Sequence, residues 1–168
     1  MISAIIKNTF LFVVLVVLQV LLFNNIQFSM YINPYVYVLF ILLLPFETPR
    51  WIFLVSGFLL GILLDIFSHT MGIHATACVF ASFMRPYVLQ SISPRDGYKS
   101  HIRPGMQHLG VEWFIKYTLL LVFAHHTVLF YVEVFKFTYF FHTLLRVFIS
   151  TIFTSIFIIA IQLFSYKK

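Results

Sequence analysis

Asp65 is the residue whose surroundings say most about chemistry, because it is an acid set inside a long apolar run. An ionisable group at that depth in a membrane costs about 3 kcal/mol on insertion scales, so it needs a partner or a bundle-facing position. Gly57, Gly61 and His69 stand at successive four-residue spacings around it, which places all four on one slowly drifting stripe of a helix. Gly57 and Gly61 make a GxxxG spacing that lets another backbone come close, since no side chain stands between. The stripe predicts a tight helix contact closed by a polar interaction.

Further along, His74 opens the next apolar run, and His125, His126, His142 and Arg146 occur within or near later ones. Their depths gather them with Asp65 and His69 in the outer half of a bundle. Arg146 lies within about three turns of the outer boundary, as Asp65 does, and is its expected ion-pair partner. Two or three of these histidines with Asp65 would offer zinc ligands, but no tight signature such as His-Glu-x-x-His is present, and hydrogen-bonding histidines are the ordinary reading. There is no Gly-rich phosphate loop, nucleophile elbow or close carboxylate pair, so no catalytic, cofactor or metal site is expected and the chain does not read as an enzyme. Cys78, the lone cysteine, has no intramolecular disulfide partner and reads as packing.

The elements that carry these residues belong to a membrane. The chain has 168 residues, 61% hydrophobic and 10% charged, with mean hydropathy +0.99, against about 45 to 50% apolar and about 25% charged in soluble chains. A span needs about 20 apolar residues. The expectation is an all-α, polytopic bundle forming one transmembrane domain over 1–168, with six spans near 5–23, 30–46, 51–67, 73–89, 113–132 and 139–164 and a polar loop over 90–110. Asn33 and Pro34 interrupt the second span, and Pro86 bends or ends the fourth. The run from Thr9 to Phe23 leads into Asn24, Asn25 and Gln27 instead of a small-x-small cleavage site, so it reads as an uncleaved helix.

Net charge is +6. In a soluble protein that would suggest nucleic acid; in a membrane it reports topology, and no nucleic-acid partner is expected. With six spans and both termini cytoplasmic, Lys7, Arg50, Arg85, Arg95, Lys99, Arg103, Lys167 and Lys168 fall at the inner side, beside anionic membrane lipids, and Lys136 at the outer side. Lys116 and Arg146 lie within spans. Trp51, Trp113, Tyr98, Tyr117 and Tyr166 mark the inner headgroup level. A five-span map would separate the termini and spoil this asymmetry. Glu112 and Lys116 form a helical pair in the favourable acid-first order, and Glu133 with Lys136 reads as a solvated turn.

The stretch Gly61-Ile-Leu-Leu-Asp65-Ile-Phe-Ser-His-Thr-Met-Gly72-Ile-His74-Ala75, on a small six-span chain, resembles the rod shape-determining protein MreD family. That family's pattern is a glycine and an aspartate near the end of the third helix, a short turn with Pro-Leu-Gly, and a helix rich in small residues. Gly61, Asp65, Gly72 and Ala75 match it, and Thr70-Met71-Gly72 departs from it at the turn. The likeness covers nearly the whole chain, though its only specific motif is this stretch.

The resemblance implies a non-enzymatic subunit of the bacterial elongation complex in the cytoplasmic (inner) membrane. It would associate with MreC and, through the complex, with MreB, RodA and a class B penicillin-binding protein, helping maintain cell shape by linking the cytoskeleton to peptidoglycan synthesis in the cell wall. The family is also similar in fold to the substrate-binding subunits of energy-coupling-factor transporters. A small-molecule-binding subunit of a vitamin transporter, its pocket lined by the outer polar cluster, is the alternative. An enzyme acting on lipid-linked precursors has the least support.

Overall fold

The computed structural model describes residues 2–26, 33–95, 97–98, 102–135 and 139–166, with side chains from residue 6 to 165. Met30, Lys99, Lys136, Lys167 and Lys168, and the side chain of Tyr166, which the sequence reading gives boundary roles, lie outside these. Every element among the described residues is helical: α1 (Ile2–Leu18) continuing as a π-helical turn (Gln19–Phe23), α2 (Val38–Leu43), α3 (Arg50–Ser68), α4 (Ile73–Ser91), α5 (Met106–Leu109), α6 (Val111–Val134) and α7 (Phe140–Tyr166). Among the described residues, four stretches are long and apolar enough to cross a membrane: Ile6–Phe23, Arg50–Ser68, Val111–Val134 and Phe140–Ser165. Large apolar side chains such as Phe10, Leu21, Phe58, Phe141 and Ile156 point outward from them, as lipid contact requires and water contact would penalise. The chain is an all-helical, multi-pass membrane protein.

The remaining two expected spans differ from a uniform apolar helix, each for a physical reason. α4 is long, 19 residues, but carries His74, Ser82, Arg85 and Gln90. It packs against α2, α3 and α6, where His74, Ser82 and Arg85 are buried while Phe80, Phe83 and Tyr87 face outward, so these polar side chains are met by neighbouring helices. Pro86 sits inside it without ending it. Of the span expected over 30–46, only Val38–Leu43 is α-helix. Six residues rise about 9 Å, too little to cross a bilayer. Val36 to Leu42 are nevertheless 4% exposed or less, packed among α1, α4 and α6.

Irregular backbone at membrane depth is tolerated only where protein satisfies its polar groups, and here side chains from four helices do so. Gln19, 2% exposed on the π-turn, donates to the Pro34 carbonyl at 3.1 Å and accepts from the Val36 N–H at 2.9 Å. Thr154 of α7 accepts from the Tyr35 N–H at 3.1 Å. At the far end of α2, the Tyr117 hydroxyl of α6 donates to the Leu42 carbonyl at 3.2 Å and Arg85 of α4 donates to the Leu44 carbonyl. Backbone polar groups at or beside both ends of this short helix are thereby given partners.

Candidate functional site

The α3–α4 turn brings together the residues of the sequence motif. α3 ends at His69, in the left-handed conformation (φ 54°), which histidine tolerates better than most side chains, and Thr70 N–H bonds back to the Asp65 carbonyl at 3.0 Å. Gly72 (φ 78°) is the N-cap of α4 and has no side chain to cap with. Asp65 supplies the missing acceptor. Its two carboxylate oxygens receive the backbone N–H groups of His74 at 3.0 Å and Ala75 at 2.9 Å, and the Thr70 hydroxyl at 2.5 Å. A carboxylate on the free N–H groups of a helix start is favoured by both hydrogen bonding and the helix dipole. The Thr70-Met71-Gly72 turn thus leaves the start of α4 to be capped from α3.

Beneath it, α3 and α4 touch backbone to backbone. A Cβ on Gly61 would lie 2.6 Å from the His74 carbonyl oxygen and closer still to Ala75; one on Gly57 would strike the Ser82 hydroxyl and approach the Cys78 carbonyl at 3.0 Å. The GxxxG contact expected from the sequence is therefore made, and its partner is α4.

The expected Asp65–Arg146 pair is not formed. Asp65 is saturated by the start of α4, while Arg146 pairs with Glu133 across α6 and α7 at 3.0 Å and lies 4.2 Å from the centre of the Phe130 ring. Glu133 is thus part of a helix–helix contact, not a solvated turn residue alone. His69 and His142 are exposed, so neither joins a buried cluster. The expected single polar group divides into the Asp65 cap, the Arg146–Glu133 pair and a buried histidine chain.

That chain runs across the bundle. His74 Nδ1 lies 2.8 Å from the Tyr37 hydroxyl, which lies 3.1 Å from His125 Nε2; His125 Nδ1 lies 3.3 Å from His126 Nδ1, and His126 Nε2 lies 3.1 Å from the Thr154 hydroxyl. Tyr37, His125, His126 and Thr154 are 0% exposed. The Tyr35 ring covers the chain, with centroids 5.7 Å from His74 and 5.4 Å from His126, and Cys78 Sγ stands 3.9 Å from His125 Nε2. Tyr35, Tyr37 and Thr154 were not singled out from the sequence; neutral hydroxyls in apolar runs carry no charge signal. Among the described residues, no group of three or more His, Cys, Asp or Glu side chains could hold a metal ion.

Arg85 was read as an inner-boundary charge, yet it is 1% exposed. Its Nε donates to the Tyr117 hydroxyl at 2.7 Å and its guanidinium lies 4.3 Å from the centre of the Phe53 ring. Buried among the carbonyls that end α2, it is a structural cation at a helix C-terminus. Tyr117, expected as a boundary ring, is likewise buried, at 0% exposure. At the same end Trp113 Nε1 donates to the Ile92 carbonyl at 3.1 Å, and Tyr98 donates to the Leu89 carbonyl at 2.7 Å; burial pushes the Tyr98 phenol above its ordinary value, which keeps the proton on. The Glu112–Lys116 pair forms at 2.7 Å on the surface.

A cavity of about 380 Å³ opens at the Asp65 end, its wall including Gln19, Asn33, Tyr35, Thr70, His74 and Glu133. His74 thus faces this cavity and the buried chain at once. Comparison with protein-family profiles, with curated proteins and with solved structures finds no match.

Proposed function

We propose that the chain is a non-enzymatic membrane subunit of the bacterial elongation complex, of the MreD kind, that helps hold cell shape by linking MreC, and through it MreB, RodA and a class B penicillin-binding protein, to wall synthesis. The observation that carries this is the α3–α4 junction: of the residues matching the family stretch, Gly61 lies backbone to backbone against Ala75, the Asp65 carboxylate caps the next helix at the Ala75 N–H, and Gly72, in the turn between them, is the N-cap residue of α4. A motif whose residues all serve one rigid junction suits a scaffold, which must present fixed helix faces.

The topology that goes with this reading is six crossings with both termini in the cytoplasm. Asn24, just past the π-helical turn that continues α1, bonds Ser68 at the end of α3, and Gln107 of α5 donates to the Ser165 carbonyl near the end of α7. These contacts support that reading, since they bring the start of α1 and the end of α7 to the Arg50 end, which the reading assigns to the inner side for its charges; the second crossing of the proposal is the whole segment from Pro34 to Leu44, of which α2 is only the helical part. Depletion in the native bacterium tests the role: cells should lose their elongated form, whereas unchanged rods would refute it.

One observation favours a second reading. The cavity at the Asp65 end would suit a small-molecule-binding subunit of a vitamin transporter. Saturable submicromolar binding of one vitamin by the purified chain would establish that reading in place of the scaffold.

A further inference from the structure

Counting protons along the histidine chain yields a constraint that distances alone do not. Tyr37 has one hydroxyl proton and two histidine nitrogens as neighbours, at 2.8 Å and 3.1 Å. If it donates to His74 Nδ1, then His125 Nε2 must carry a hydrogen and donate to the Tyr37 oxygen; if it donates to His125, His74 Nδ1 must be the donor. Any other arrangement sets two lone pairs together or strands the hydroxyl proton at 0% exposure, and an unmade buried hydrogen bond costs about 1 to 3 kcal/mol. The Nδ1–Nδ1 contact of His125 with His126 likewise needs one hydrogen between two nitrogens. His126 Nε2 then either accepts from Thr154 or donates to it.

We propose that Tyr37, His74, His125, His126 and Thr154 form one neutral hydrogen-bonded switch with two settings, its mouth at His74 in the cavity and its far end on α7. In one setting His74 and His125 carry their hydrogen on Nε2, His126 on Nδ1, and every bond points from Thr154 toward His74. In the other, His74 and His125 carry it on Nδ1, His126 on Nε2, and every bond points the opposite way. The number of protons on the three rings and the phenol is the same in both.

His74 Nε2 has no protein partner among the described residues, and His74 lines the cavity. A hydrogen-bond acceptor arriving there selects the first setting and a donor selects the second. The occupant of the cavity is thereby reported to Thr154, which also holds the Tyr35 N–H at 3.1 Å, without moving net charge. The charged neighbours are already engaged: Asp65 with the start of α4, Arg146 with Glu133. Cys78, beside His125 Nε2, and Tyr35, whose ring lies against all three imidazoles, are further titratable neighbours. The switch stands independently of the shape-complex reading.

Nitrogen-15 spectra of the full chain, labelled at histidine and held in phospholipid nanodiscs at neutral pH, decide the matter, since protonated and bare ring nitrogens are resolved. The expected result is that His74 and His125 carry hydrogen on the same nitrogen and His126 on the other. In Tyr37→Phe the His125–His126 opposition persists while His74 Nδ1 shifts on losing its partner. Wild-type spectra with His125 and His126 alike, or with His74 and His125 different, would overturn the switch, and this reading needs no variant to fold.

Discussion

Asp65 and Ala75 are joined by a 2.9 Å bond from the Ala75 backbone N–H to the Asp65 carboxylate, so one helix caps the next across a turn whose own N-cap is a glycine. With its second bond to the His74 N–H, this acid has a helix start for a partner, not a cation. Asp65→Ala strands those donors and should lower stability by about 2 kcal/mol, read as a lower melting temperature in detergent; Asp65→Asn, which keeps one acceptor oxygen, should lose less. Exchanging Asp65 with Arg146 should rescue nothing. Rescue would restore the ion-pair account.

Gly61 and Gly57 should not be equally sensitive. Alanine at 61 meets backbone of His74 and Ala75, which cannot yield without separating α3 from α4, while alanine at 57 first meets the Ser82 hydroxyl, a side-chain tip that can turn. Overpacking of this kind costs about 1 to 3 kcal/mol. Gly61→Ala should lie at the upper end and Gly57→Ala below it in thermal unfolding of the purified variants; the reverse order would count against the contact described.

Replacement of Arg85 by alanine should destabilise the fold by about 3 kcal/mol, by opening a void and leaving the carbonyls at the end of α2 without donors. Arg85→Lys should recover only part, because one ammonium cannot reproduce the planar fork toward Tyr117 and Leu44. Full recovery with lysine would mean that charge alone matters at this site.

Met71 is fully exposed in the α3–α4 turn and Cys78 is buried. In intact spheroplasts, Met71→Cys should react with a membrane-impermeant maleimide added outside, while the parent chain with Cys78 alone stays unlabelled. Labelling of Met71→Cys only after the membrane is opened would invert the proposed topology.

Helical class, membrane residence and the stripe of Gly57, Gly61 and Asp65 were legible because composition and four-residue spacing carry them directly. The partner of Asp65 was not, since the donors that saturate it are backbone N–H groups, which no side-chain pattern displays. The burial of Arg85 was not legible, because position along the chain does not distinguish an exposed end-of-helix charge from one turned inward at the same end. Gln19 left a trace that could have been read: it is the one amide in the Thr9–Phe23 run, and it bonds the broken segment at Pro34 and Val36. The irregular form of that segment was not legible, because its polar groups are satisfied by residues far away in sequence.

The most direct test of the central claim is affinity purification of the tagged chain, expressed from its native locus, with MreC and RodA followed by mass spectrometry. The account predicts that both co-purify with the wild type and are lost with Gly61→Leu, which forces α3 from α4, while a lipid-facing control such as Phe58→Leu retains them. A wild-type chain recovered without either protein, from cells whose form does not depend on it, would contradict the assignment.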